Sequence, residues 1–158
     1  MTDNSIPTLY EWAGGAPALD RLTEVFYGHV LEDPLLRPLF EHMAPEHTKF
    51  IALWLGEVLG GPKSYTEQHG GHPHMISKHI NLKIKPEQRL RWVQLISAAA
   101  DEAGLPDDPE FRSAFMAYIE WGTRIGLSVS NAGDFTPDPN STVPLWDWGV
   151  MKPILPAK

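Results

Sequence analysis

The chain contains no cysteine, which excludes disulfides, thiolate zinc sites, iron–sulfur clusters and a cysteine nucleophile. It also lacks an excess of basic charge: 13 Lys and Arg stand against 20 Asp and Glu, so the net charge is 13 − 20 = −7. No basic face is available to displace counterions from a phosphate backbone, and no nucleic-acid partner is expected. Long apolar runs are missing too; Gly, Pro or charge interrupts each one well before the roughly 20 residues that a bilayer requires. No basic stretch followed by an apolar one opens the sequence, so neither a membrane span nor a signal peptide is expected, and the cytoplasm is the expected compartment. Several enzyme signatures are absent as well. There is no Gly-x-Ser-x-Gly elbow, no phosphate loop with its Lys and no dinucleotide fingerprint, because the glycine pairs stand alone or before proline.

What is present is a chain of 158 residues, the size of one domain, with seven histidines and six tryptophans. Helix-period segments run from residue 8 to 130, without sustained strand alternation, so the fold is expected to be all-α. A short helix after Thr8 stops at Gly14-Gly15. Leu19, Leu22, Val25, Phe26 and Val30 mark a longer one ending near Glu32, and Asp33-Pro34 opens a brief turn to Phe40. Phe50, Ile51, Trp54, Leu55, Val58 and Leu59 form the wide face of a helix that Gly60-Gly61-Pro62 ends. Residues 62–72 read as a loop, and a short helix starting at Pro73 carries Met75, Ile76, His79 and Ile80. Pro86 suits the first turn of a helix with Leu90, Val93, Ile96 and Ala100 inward. Asp108-Pro109-Glu110 starts a last one with a stripe of Phe111, Phe115, Tyr118, Ile119, Gly122, Ile125 and Val129.

The histidines are the chemically informative residues. No pair has the four-residue spacing of a zinc-protease helix, since 42/47 and 74/79 are each five apart and so face different directions. His69, His72 and His74 with Glu67 could hold a divalent metal, although a glycine-rich loop holds ligands poorly and solvation is the plainer reading. His79 stands out because its neighbours Met75, Ile76 and Ile80 are apolar. A lone histidine on such a face is more often a hydrogen-bonded core residue than a ligand.

An ordered set of segments changes that balance: Gly14-Gly15, Arg21-Leu-Thr-Glu-Val-Phe-Tyr27, Asp33-Pro-Leu-Leu-Arg-Pro-Leu-Phe40, Leu59-Gly-Gly-Pro-Lys-Ser-Tyr65, Gly71-His-Pro73, His79 and Trp92. Together, over roughly residues 8–130, they resemble the second group of the truncated haemoglobins. The resemblance implies a shortened globin, a two-over-two helical sandwich around haem b (iron protoporphyrin IX). It implies that His79 is the proximal iron ligand, Tyr27 and Trp92 distal donors, and His47 the residue facing the sixth coordination position, with Thr48 as the fallback. Phe40 then packs on the porphyrin, Phe50, Ile51, Trp54 and Met75 line the pocket, and Tyr65 and Lys78 meet the propionates. For Phe50 and Trp54, taken singly, plain core packing is the simpler reading.

The implied function is reversible binding of oxygen and other diatomic ligands, CO and NO. Dioxygen so held is partly anionic, and a hydrogen bond to a charged acceptor is worth about 1.5–3 kcal/mol, so two or three donors imply slow oxygen release. That suits a sensor or redox chemistry on oxygen, NO or peroxide better than a carrier; NO-dioxygenase-like or peroxidase-like turnover would draw electrons from an external reductase. Two departures from the family stand out: Phe40 replaces a frequent tyrosine, and His47 replaces a small residue. Residues 1–133 are read as the globin domain and 134–158 as a Pro/Trp-rich C-terminal extension packed on it through Trp146 and Trp148, the whole being a monomer or weak homodimer. The competing classes are a non-haem metal protein built on His69, His72 and His74, and a helical interaction module whose tail is the working surface.

Overall fold

The computed structural model describes residues 6–152. Residues 1–5 and 153–158, and with them the last six residues of the expected C-terminal extension, lie outside the described residues. The described chain is all-helical, with α1 (Leu9–Ala13), α2 (Gly15–Glu32), α3 (Arg37–Phe40), α4 (His47–Val58), α5 (Ser64–His69), α6 (Gly71–Ser77), α7 (Pro86–Glu102) and α8 (Pro109–Asn131). None of these helices is long and apolar enough to cross a membrane.

Local chemistry accounts for most of the boundaries. Thr8 Oγ1 accepts from Glu11 N at 3.0 Å and starts α1. Gly14 then turns the chain into α2 with φ of 110°, a left-handed conformation that glycine adopts without penalty. Asp33 Oδ1 accepts from the amides of Leu35 and Leu36 beyond the end of α2, while Oδ2 accepts from Arg91 Nε of α7 at 2.6 Å. Asp108 Oδ2 caps α8 through Phe111 N at 2.9 Å, and its Oδ1 accepts from Trp12 Nε1 at 2.8 Å. One carboxylate thus starts a helix and ties it to the first helix of the chain.

The helices pack as two pairs, α2 against α4 and α7 against α8, and the pairs meet where α2 lies on α7. Leu22, Phe26, Ile96, Phe111, Phe115 and Ile119 fill the interior between them. Beyond α8 the chain has no regular structure up to residue 152. Trp148 is nonetheless buried, its Nε1 donating to Pro7 O at 2.8 Å and its ring set edge-on to Trp12. Trp146 N donates to Val58 O at 2.8 Å, and its ring lies 5.6 Å from Tyr118 and 5.5 Å from Trp121.

Three expectations need correction. Residues 62–72 are not one loop, since α5 forms within them; Glu57, projecting from α4, accepts from Thr66 N at 2.9 Å and from Thr66 Oγ1 at 2.5 Å. The helix expected from Pro73 starts at Gly71 and ends at Ser77, leaving His79 and Ile80 in the turn that follows. There the amides of Lys78 and His79 bond back three residues, to Met75 O and Ile76 O, tightening the chain out of α-geometry. The inward faces of α7 and α8 also differ: Leu90 and Ile125 are exposed, whereas Gln88, Gly126 and Ser130 are buried.

Candidate functional site

His79 sits half-buried in the turn after α6, and Gly126 of α8 lies against its ring. Its Nδ1 is 2.9 Å from Met75 O. A carbonyl only accepts, so Nδ1 carries the proton, and Nε2 presents a lone pair with no partner among the described residues. Burial lowers the pKa of His79, the Met75 carbonyl opposing this more weakly, so the ring is neutral. A neutral imidazole with one nitrogen fixed by a carbonyl and the other free is the form that ligates a metal.

Tyr27 of α2, Phe40 of α3 and His47 at the start of α4 form a second cluster. Ring centroids are 5.8 Å apart for Tyr27 and Phe40, 5.0 Å for Tyr27 and His47, and 6.2 Å for Phe40 and His47. His47 Nε2 lies 3.0 Å from the Tyr27 hydroxyl. Burial raises the Tyr27 pKa far above its ordinary value, so the phenol keeps its proton. Burial also lowers the pKa of His47, so this ring too is held toward its neutral form. Trp92 of α7 joins this cluster through Phe26, whose ring is 4.7 Å from Trp92 and 4.8 Å from Tyr27.

The indole nitrogens separate the tryptophans. Those of Trp12, Trp54 and Trp148 donate to Asp108 Oδ1, Tyr118 Oη and Pro7 O. Trp92 Nε1 has no acceptor among the described residues, yet no buried side-chain nitrogen or oxygen there lacks a partner. The Trp92 nitrogen is therefore uncommitted and reached by solvent, as is that of the half-buried Trp146. Trp54, by contrast, already donates to Tyr118 at 2.6 Å and contributes packing only.

Phe50, Ile51 and Met75 are half-buried against the core, with Phe50 set 4.3 Å from the His69 ring. Tyr65 is buried edge-on to Trp54, and its pKa is pushed up to about 12 by burial. Its hydroxyl has no hydrogen-bond partner among the described residues. Lys78 is exposed. A groove of about 650 Å³ between α2 and the segment entering α4 is lined by Asp20, Thr23, Tyr27, Met43, Thr48 and Lys49. It meets the cluster only at Tyr27, and neither His79 nor Trp92 lines it.

His69, His72 and His74 do not converge. The His69 ring packs on Phe50 and Tyr65, His72 Nδ1 lies 2.7 Å from Ser141 Oγ, and the His74 ring lies 6.3 Å from Tyr65. Among the described residues no group of three or more His, Cys, Asp or Glu is placed to hold a metal ion. The residue that the sequence reading missed is Gly126, where a Cβ would stand 3.2 Å from His79 Cδ2. A glycine inside a helix costs about 1 kcal/mol relative to alanine, and that unexplained cost was its one visible signal.

The helical fold has counterparts among known proteins. The bacterial-like globin family matches residues 8–121. The chain is 32% identical over 120 residues to the group 2 truncated hemoglobin of Bacillus subtilis (strain 168), covering 76% of this chain and 89% of that protein. Among solved structures, the group II truncated hemoglobin of Bacillus anthracis superposes with a TM-score of 0.69 at 26% identity, over 84% of this chain and 94% of that one. The truncated oxygen-avid haemoglobin of Bacillus subtilis superposes with a TM-score of 0.66 at 31% identity, over 75% and 97% of the two chains.

Proposed function

The chain belongs to the bacterial-like globin family, as a truncated haemoglobin of the second group, and from that premise we propose that it holds haem b through His79, binds oxygen, CO and NO reversibly, and releases oxygen slowly. Its two-over-two helical fold and haem-based ligand binding follow from membership of the family. The observation that carries the residue assignment is the His79 ring: neutral, its Nδ1 proton given to Met75 O, its Nε2 lone pair free. That donor set fits a haem iron, which accepts one neutral imidazole.

When bound through His79, the haem would supply an iron centre able to hold a diatomic ligand. The other work falls to the chain. Tyr27, kept protonated by burial, and Trp92, with an uncommitted N–H, donate hydrogen bonds toward a partly anionic ligand. His47 orients the Tyr27 hydroxyl. Phe40, Phe50, Ile51, Trp54 and Met75 exclude water, which slows oxidation of ferrous iron and strengthens every polar contact inside. Tyr65 and Lys78 meet the propionates, Tyr65 from a buried position with its hydroxyl unengaged.

The oxygen-avid relative from Bacillus subtilis supports slow release. Slow release favours redox use of the ligand over unloading, with an external reductase supplying electrons in the cytoplasm and the protein acting as a monomer or weak homodimer. Absorption spectra of the holoprotein, oxidised, reduced and under CO, test the reading. A Soret band that shifts with CO, and is lost in His79→Ala, is expected. A His79→Ala protein with the parent's spectrum and haem affinity would overturn the assignment.

A further inference from the structure

The chain between the end of α6 and Pro86 turns back on itself while carrying His79; its own backbone closes the first part, through Leu82 N donating to His79 O at 3.2 Å, and the rest leans on another helix. Asn81 and Lys83 both take left-handed backbone, with φ of 61° and 56°. Residues other than glycine rarely do so, and lysine lacks the short polar side chain that makes the conformation easier for asparagine. Such geometry persists where the surroundings over-determine it.

Here the surroundings are the last turns of α8 and the residues just after it. Lys83 N donates to Ser130 O and Ile84 N donates to Ser130 Oγ, both at 3.2 Å. Asn131 Nδ2 donates to Ile84 O at 2.9 Å, and Asn81 Nδ2 donates to Asp134. Ser130 is completely buried, and its hydroxyl is fully committed. It donates to Leu127 O at 2.9 Å and accepts from Ile84 N and Asn131 Nδ2. Four residues earlier, on the same helix face, stands Gly126. A Cβ there would lie 3.2 Å from His79 Cδ2 and 3.4 Å from His79 Nε2, tighter than the ring accommodates without shifting.

We propose that the C-terminal end of α8 sets the distance and tilt of the His79 ring, with Ser130 and Asn131 as positioning residues and Gly126 as the space the ring occupies. The inference rests on the reading of His79 as the iron ligand and adds to it the element that aims the ligand. Neither Ser130 nor Asn131 touches the ring; both act on the loop that carries it. The left-handed residues Asn81 and Lys83 lie on the stretch tied to α8, beyond the Leu82 N to His79 O bond, so cutting those ties lets the loop and the ring on it shift.

The test uses ferrous holoprotein and two readouts: the iron–histidine stretching band in resonance Raman spectra and the rate of haem transfer to an apoprotein acceptor. Ser130→Ala removes the buried hydroxyl. Asn131→Asp, at an exposed position where folding is not at stake, removes the donor and keeps the shape. Both variants are expected to shift the band and to speed haem loss by about two- to twelvefold, the worth of the one neutral hydrogen bond to Ile84 that each removes from the loop. Ser128→Ala, exposed on the same helix, is expected to do neither. A parent-like band and parent-like haem loss in Asn131→Asp, while His79→Ala loses haem, would refute the positioning role and leave the ligand assignment standing. A parent-like band in His79→Ala would overturn both.

Discussion

Replacing Trp92 by phenylalanine isolates a single hydrogen bond. The Trp92 ring stands edge-on to Phe26 at 4.7 Å, a contact that a phenyl group can retain. What disappears is the indole N–H, which has no acceptor among the described residues and so costs the ligand-free protein no internal bond. In the proposed function, dioxygen held beside Trp92 carries partial negative charge, and a donor to a charged acceptor is worth about 1.5–3 kcal/mol. The oxygen dissociation rate of Trp92→Phe should therefore rise about ten- to 150-fold, since each 1.4 kcal/mol is tenfold. Carbon monoxide accumulates much less charge, so its dissociation should change by no more than the two- to twelvefold expected of a neutral hydrogen bond, roughly 0.5–1.5 kcal/mol. Stopped-flow displacement of each ligand from the same preparation measures both. An unchanged oxygen rate, or oxygen and carbon monoxide rates that rise by the same factor, would refute the reasoning; equal factors would mean that the substitution altered packing rather than a hydrogen bond.

The remaining predictions concern the distal pair, the α2 terminus and the tail. His47→Leu removes the partner of the Tyr27 hydroxyl and should speed oxygen release about two- to twelvefold, with His47→Gln recovering part of the loss in the same stopped-flow assay; slower release would count against the pairing. Burial alone would raise the Asp33 pKa, but the Arg91 hydrogen bond and the Leu36 and Leu35 amides outweigh it and hold the carboxyl below its usual range. A depressed folded pKa contributes stability above the unfolded value near 4 that is lost as pH falls through the folded one. Asp33→Asn should accordingly be about 1–3 kcal/mol less stable at neutral pH, and its gap from the parent in chemical unfolding should close on acidification. Trp148→Ala empties a buried site and removes the bond to Pro7 O. About 3 kcal/mol is expected, lowering the Tm of the haem-saturated protein by about 6–12 °C in calorimetry; an unchanged Tm would mean that the tail adds nothing to the fold.

Local signals carried most of the helix map. The Thr8, Asp33 and Asp108 caps and the Gly60-Gly61-Pro62 stop are each decided within a few residues, and a sequence reading can see them. What it could not see depends on partners far along the chain. Helix α5 is fastened by Glu57 from α4, nine residues before Thr66, and nothing in residues 62–72 announces that carboxylate. The segment that follows His79 is tied at Ile84 to Ser130 and Asn131, almost fifty residues away. Leu90 and Ile125 were assigned inward because apolar periodicity marks a stripe without saying where the neighbouring helix ends. The candidate site divides in the same way. Tyr27, Phe40, His47 and Trp92 came from family resemblance, and the structure places the first three in direct contact, with Trp92 one ring beyond. That Trp54 is committed to Tyr118 while Trp92 is uncommitted is a question of acceptors, which only coordinates answer.

One physical cause sets the protonation states on both sides of the site. In the proposed assignment the proximal side requires a lone pair, and burial supplies it by driving His79 to the neutral imidazole against the opposing pull of the Met75 carbonyl. The distal side requires a donor, and burial supplies that by raising the Tyr27 pKa until the phenol holds its proton under all ordinary conditions. His47 must not carry a positive charge beside either group, and burial lowers its pKa as well. Desolvation disfavours whichever form is charged, so it pushes bases down and acids up, and one dry pocket achieves opposite shifts at once. The half-buried Phe40, Phe50, Ile51 and Met75 therefore act on the chemistry without offering a polar atom to it. Admitting water through any of them would relax all three groups toward their solution behaviour together. The apolar wall is in that sense as much a part of the site as His79 itself.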